Sequence, residues 1–201
     1  MLFSMLASLL VLLTVLMTQC QGDVCDPSEM EKYFEETPDA WKLVQKVRGP
    51  CYLVYHSQNP SFDKKHNCLM AARTKATASS KSAKYAFYYQ TSKSIEVVGS
   101  VNVKVQKSDT AYENENMFVV ENPRGRRKGQ QRYQLLFSDY KSCAVLRSSL
   151  LGVQVWVTKG YLEIHNDVQY SCSLVYDLAA DQNKTLSFDW RKCGIFKRTE
   201  L

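Results

Sequence analysis

Glycine is scarce in this chain: 201 residues hold eight glycines, five prolines and three histidines. So little glycine leaves few places for phosphate-cradling loops. No dinucleotide fingerprint, P-loop or G-x-S-x-G elbow occurs. The histidines, His56, His66 and His165, fall on separate segments, and no C-x-x-C pair exists. Apart from His66, two residues before Cys68, none lies near a cysteine, so no metal site is expected. Basic charge is not concentrated either. The formal net charge of +6 comes from 26 basic and 20 acidic residues that are mostly interleaved, whereas a nucleic-acid binder would show a basic face with stacking aromatics. The one dense run, Arg124-Gly125-Arg126-Arg127-Lys128, sits beside Asn122-Pro123 and Gly129 and reads as a solvated hairpin loop. These gaps argue against an enzyme, a cofactor and a nucleic-acid partner.

Charge is missing altogether from Met1 to Gly22. An apolar core followed by small and polar residues is the pattern of a secretory signal peptide. We expect cleavage after Gly22, which leaves residues 23–201 as one secreted domain. A membrane anchor is the alternative reading of such a run, but no basic residue flanks it to hold it in place. Of the seven cysteines, Cys20 leaves with the signal, and Cys25, Cys51, Cys68, Cys143, Cys172 and Cys193 remain. Six widely spaced cysteines in an exported chain suggest three disulfides, without fixing their pairing. Asn183-Lys184-Thr185 is a glycosylation sequon, whereas proline disqualifies Asn59-Pro60-Ser61.

Two helix starts precede the strands. Asp26-Pro27-Ser28-Glu29 pairs an N-cap acid with proline at the first helical position, and Thr37-Pro38-Asp39 repeats the signal before Trp41. Beyond Arg48-Gly49-Pro50 the texture turns to strands. Val101, Val103 and Val105 alternate with polar residues, and Val153, Val155 and Val157, like Tyr133, Leu135 and Phe137, recur with the same period. Residues 51–57, 67–73, 85–89, 110–120 and 142–147 complete about eight expected strands. Lys75–Lys84 reads as a loop, 170–180 as a helix, and 185–190 as a last strand. Evenly spaced strands, several apolar on both faces, favour a barrel over a sandwich.

Certain segments, in this order, resemble the tick salivary lipocalins of the histamine-binding type. They are Asp39-Ala40-Trp41-Lys42, Tyr52-Leu53-Val54, Cys68, Tyr112-Glu113-Asn114-Glu115-Asn116, Phe137-Ser138-Asp139-Tyr140-Lys141-Ser142-Cys143 and Val155-Trp156. The resemblance implies an all-β fold with short flanking helices, an eight-stranded antiparallel lipocalin barrel closed at one end by the Trp41 helix. It also implies the disulfides Cys68–Cys193 and Cys143–Cys172, which leaves Cys25 to pair with Cys51. Trp41 itself is a core plug. The implied activity is sequestration of a small host mediator, a biogenic amine or a lipid, by a monomer that counters host defence. The alternative is a barrel filled with side chains that binds a host protein such as a complement component.

The amine-binding members hold their cation with carboxylates and aromatic walls, because a desolvated ammonium needs a counter-charge. Ala144 and Gln154 occupy the positions of two of those acids here. The others fall on Asn59, near Asn102, and on Gln134. The aromatic wall persists as Phe62, Phe118 and Trp156. A pocket without its acids points to a neutral or anionic ligand. For a lipid carboxylate, Arg73, Arg132 or Arg147 with Tyr85, Tyr89 or Tyr133 would supply the polar contacts.

Overall fold

The computed structural model describes residues 37–62, 68–90, 95–121, 130–180 and 183–193. Helix α1 (Ala40–Lys46) leads into β1 (Cys51–His56) and β2 (Met70–Thr77), followed by β3 (Ser82–Gln90) and β4 (Ile95–Gln106). Strands β5 (Met117–Glu121), β6 (Arg132–Ser138), β7 (Cys143–Ser148) and β8 (Gly152–Thr158) follow. Two helices come next, α2 (Lys159–His165) and α3 (Tyr170–Ala179), and then the short β9 (Thr185–Leu186). Every strand pairing is antiparallel. The order β2-β3-β4-β5-β6-β7-β8-β1 closes on itself through Cys51 opposite Ala71, and β9 pairs with the far end of β1, at Tyr55 and His56. Closure through this β1–β2 pairing joins the first and last strands of the sheet into a ring.

Alternation along the strands divides the apolar residues between two faces. Ala83, Val103, Val105, Phe118, Leu135 and Ala144 point inward, where Leu43 and Val44 of α1 meet them at one end. Tyr52, Val54, Val145, Val155 and Val157 point outward and are covered by α2, α3 and the C-terminal segment through Leu162, Val175, Tyr176 and Phe188. Tyr176 and Phe188 are fully buried, and each contributes about 1.5–3 kcal/mol by leaving water. The two bridges tie this covering down. Cys143–Cys172 fixes the first turn of α3 to the start of β7, and Cys68–Cys193 fixes the C-terminal segment to the approach to β2.

The floor of the barrel is α1. Asp39 caps it by accepting from the Lys42 N–H at 2.8 Å. The Ala40 N–H donates to the Glu115 carbonyl at 2.7 Å, joining the helix to the turn before β5. Arg73 on β2 donates to the Val44 carbonyl, placing a cation at the helix C-terminus, where the dipole favours it. Trp41 packs against the inner cluster at this floor. At the opposite end Gly152 opens β8 with φ +66°, where an added Cβ would lie 2.2 Å from the Ser57 Oγ. That hydroxyl accepts from the Val153 N–H at 2.9 Å, so the tight approach joins β8 to the end of β1.

Several expectations need correcting. Of residues 110–120, only Met117 onward is strand. The segment before it turns because Asp109 accepts from the Ala111 N–H and Asn116 from the Ser108 N–H, local bonds that compete with a ladder. Lys75–Lys84 is not a loop but a β-hairpin, with Lys75, Ala76 and Thr77 facing Lys84, Ala83 and Ser82. There the neighbouring strands outweigh the low β-propensity of alanine and lysine. The strand expected over 67–73 lies at Met70–Thr77, and that over 185–190 is two residues long. Helix α2 went unpredicted, and Gly160 in its first turn hides it. The helix start at 26–29, the basic loop 124–128, Cys25 and residues 1–22 lie outside the described residues.

The turn between β6 and β7 is organised by one carboxylate. Asp139 accepts from the N–H groups of Lys141, Ser142 and Cys143 at 2.9–3.0 Å and from the Ser142 hydroxyl. Burial by itself raises its pKa, but these four donors outweigh burial and hold it below the ordinary range. A carboxyl depressed in the fold stabilises at pH above its unfolded value, and that contribution fades as pH falls through the folded one. Asp139→Asn is therefore expected to cost about 1–2 kcal/mol at neutral pH. The gap from the parent should narrow on acidification, measured as urea midpoints between pH 3 and 7. An equal gap at every pH would show that charge plays no part in this turn.

Candidate functional site

The ring encloses a cavity of about 420 Å3, within the range of small-molecule sites. Leu43 of α1 and Val47 just after it form part of its lining, with Val103. The middle is walled by Ala71, Tyr85, Phe87 and Val101, with Phe118, Trp156 and Thr158 opposite. Towards the mouth come Phe62, Leu69, Val98, Tyr133, Leu146, Leu150 and Leu151. Among the described residues, no aspartate, glutamate, lysine, arginine or histidine lines it.

Its central polar group is already committed. Gln154 is fully buried on β8. Its Nε2 donates to the Ser148 Oγ at 2.7 Å, and its Oε1 accepts from the Trp156 Nε1 at 3.1 Å. The amide thus ties up the indole N–H and leaves the ring surface of Trp156 as the contact on offer. Phe87 meets that indole edge-on, with ring centres 6.5 Å apart. With one N–H and its oxygen already bonded, the amide has little left for a ligand.

Five of the six residues singled out as ligand contacts, Phe62, Phe118, Ala144, Gln154 and Trp156, come together on this cavity. Gln134 does not. It faces outward between Tyr133 and Leu135, and its Nε2 reaches the Tyr112 hydroxyl at 3.4 Å. Asn102 is exposed on β4, and Asn59 is exposed in the turn after β1, where it accepts from Ser61. None of the positions matched to the family's pocket acids therefore brings a carboxylate inside. Arg73 is spent on α1, while Arg132 and Arg147 lie on the outer face of β6 and β7 beside Gln134. Tyr89 donates to Glu96 away from the lining, but Tyr85 and Tyr133 do line the cavity. Contacts missed in the sequence include Leu69, Phe87 and Cys51. Phe87 was within reach, because it shares the period-two face of Ala83 and Tyr85.

Cys51 opens β1 and is half-buried with its side against the cavity. It forms no disulfide with a described residue, and Cys25, its expected partner, lies outside them. As a thiol it is pushed up to about 12 by burial and stays protonated at neutral pH. Asn183 is exposed just beyond α3, and its backbone carbonyl accepts from the Tyr176 hydroxyl at 2.8 Å. No group of three or more metal-binding side chains gathers among the described residues, and no helix there is long and apolar enough to cross a membrane.

Comparison with known proteins gives a consistent picture. The family model described as tick histamine binding protein matches residues 28–194. No curated protein matches the chain in sequence. Among solved structures, the serotonin complex of AM182 superposes with a TM-score of 0.56 at 18% identity, covering 85% of this chain and 96% of that one. Japanin from Rhipicephalus appendiculatus, bound to cholesterol, gives 0.50 at 16% identity over 72% of this chain and 95% of its own. At these identities the likeness is one of fold: a closed antiparallel ring with few short helices, shared with lipocalins.

Proposed function

From membership of the tick histamine-binding protein family, to which the chain belongs, we propose that it sequesters a neutral, largely apolar small molecule in its barrel rather than a protonated amine. Its relatives are ligand-binding lipocalins and not enzymes. The observation that carries the reading is a cavity of about 420 Å3 lined mostly by aromatic and aliphatic side chains, with a few neutral polar ones such as Ser100, Gln131 and Thr158 and without one charged group among the described residues. An ammonium brought into such a space loses its hydration and gains no counter-charge, and aromatic faces alone offset only part of that cost. A carboxylate meets the mirror-image difficulty, since no lining arginine or lysine receives it. A neutral ligand pays neither penalty and gains by burying its own surface. The alternative of a barrel packed solid and directed at a host protein finds no support in an open space of this size.

Export completes the reading. The uncharged apolar run at residues 1–22 serves as the signal peptide, the mature monomer carries a glycan at Asn183, and capture of the mediator blunts a host defence. Calorimetric titration of the mature protein against histamine, serotonin, arachidonate and cholesterol tests the ligand class. Saturable heat is expected with the neutral sterol and none with histamine up to millimolar concentration. Micromolar binding of histamine would mean that the cavity supplies a counter-charge, and the neutral reading would fall.

A further inference from the structure

The lining is apolar but not uniform, and its uncommitted polar atoms are few. Gln154 and the indole N–H of Trp156 satisfy each other. Tyr85 behaves differently. It lies on β3 opposite Arg73 and Val101, between the Phe87 level and the α1 floor, and its side chain lines the cavity. Its hydroxyl makes no hydrogen bond to any described residue. It lies close enough to the Cys51 thiol and the Arg73 guanidinium to feel both electrostatically. Thr158, directly opposite Cys51 across the β1–β8 ladder, adds a second hydroxyl to the lining. The phenol faces the cavity with its hydroxyl uncommitted, so a ligand group that bonds it gains one net hydrogen bond, about 0.5–1.5 kcal/mol.

We propose that this inner spot, centred on the Tyr85 hydroxyl, receives the single polar group of the ligand, a neutral hydroxyl or carbonyl, so that the molecule enters polar end first. The inference rests on the neutral-ligand reading above and adds an orientation and a specificity-determining residue to it. Burial raises the pKa of Tyr85, so at neutral pH its hydroxyl is a donor as well as an acceptor. It can give to a carbonyl, or both give to and take from an alcohol. The nearby guanidinium does not turn the spot into an anion site, because Arg73 is committed to the Val44 carbonyl and is not part of the lining. Tyr133 offers a hydroxyl near the mouth, where its Cα partner is Ser148 at the end of β7. It makes no hydrogen bond to a described residue either, and it is the natural competitor for the role.

Three probes of one shape separate the possibilities: naphthalene, 2-naphthol and 2-naphthoate, each competing with the neutral dye N-phenyl-1-naphthylamine for the mature protein. The parent is expected to bind 2-naphthol roughly three- to tenfold more tightly than naphthalene, the span of one net hydrogen bond. Tyr85→Phe should bring the two within about twofold, and Tyr133→Phe should keep the preference. Equal affinity of the parent for naphthalene and 2-naphthol overturns the inference but leaves the neutral-ligand reading standing. So does a preference that Tyr133→Phe abolishes and Tyr85→Phe keeps. Tighter binding of 2-naphthoate than of 2-naphthol overturns both, since the cavity would then be an anion site. Failure of the dye and all three probes to bind also overturns both.

Discussion

Replacing Cys68 and Cys193 together with alanine is expected to lower folding stability by about 5 kcal/mol, against roughly 3.5 kcal/mol for the Cys143 and Cys172 pair. The difference follows from loop length. The first bridge joins residues 125 apart and the second residues 29 apart, so the first removes more freedom from the unfolded chain. The longer bridge also holds the C-terminal segment on the barrel wall. There Phe188 meets Tyr52 edge-on at 5.1 Å, and the Ser187 N–H donates to the Val54 carbonyl at 2.9 Å. Losing it should loosen this covering before the ring itself opens. Urea midpoints of the two double variants measure the ranking. A larger loss from the Cys143 and Cys172 pair would show that docking α3, rather than loop closure, dominates.

Restoring two acids should convert the cavity. Gln154→Glu with Ala144→Asp places carboxylates on adjacent strands. Ala144 faces Trp156 and Leu146 faces Gln154, so the two positions are diagonal neighbours on the inner face. An ammonium between them would gain the counter-charge that the present lining lacks, and histamine affinity is expected to rise at least tenfold. The same change carries a stability cost of about 3 kcal/mol at neutral pH in the absence of ligand, because two like charges are buried without a partner. Burial raises both carboxyls above their unfolded values. The penalty is therefore greatest above the folded pKa, shrinks as pH falls through it, and is absent below the unfolded value. Calorimetry with histamine and thermal melts from pH 4 to 8 measure the two effects. An unchanged histamine affinity in a variant that remains folded would show that a missing counter-charge is not what keeps amines out.

Much of the architecture was legible because strand alternation leaves a direct mark. Val101, Val103 and Val105 recur every second residue and share the inner face, while Val153, Val155 and Val157 show the same period and share the outer one. Period two reports that one face is buried, but not which. The hairpin at 75–84 was missed for the opposite reason: alanine, serine and lysine carry little intrinsic preference, and pairing with β3 decided their conformation. Gln134 illustrates the limit for site residues. A resemblance good to one residue or so cannot tell the inside from the outside of a strand, since a shift by one crosses the sheet.

The sequence by itself determined the class of fold, the places where helix α1 and helix α3 begin, and the absence of acids at positions 144 and 154. These depend on local pattern and on residue identity, which are written in the chain. The tertiary structure decided which hydroxyls and sulfurs face the cavity, that the amide of Gln154 is consumed by Ser148 and Trp156, and that Arg73 serves the floor helix instead of a ligand. Those outcomes depend on groups distant in sequence meeting across the ring. Only closure of β1 on β2 brings Cys51 and Tyr85 within reach of one another.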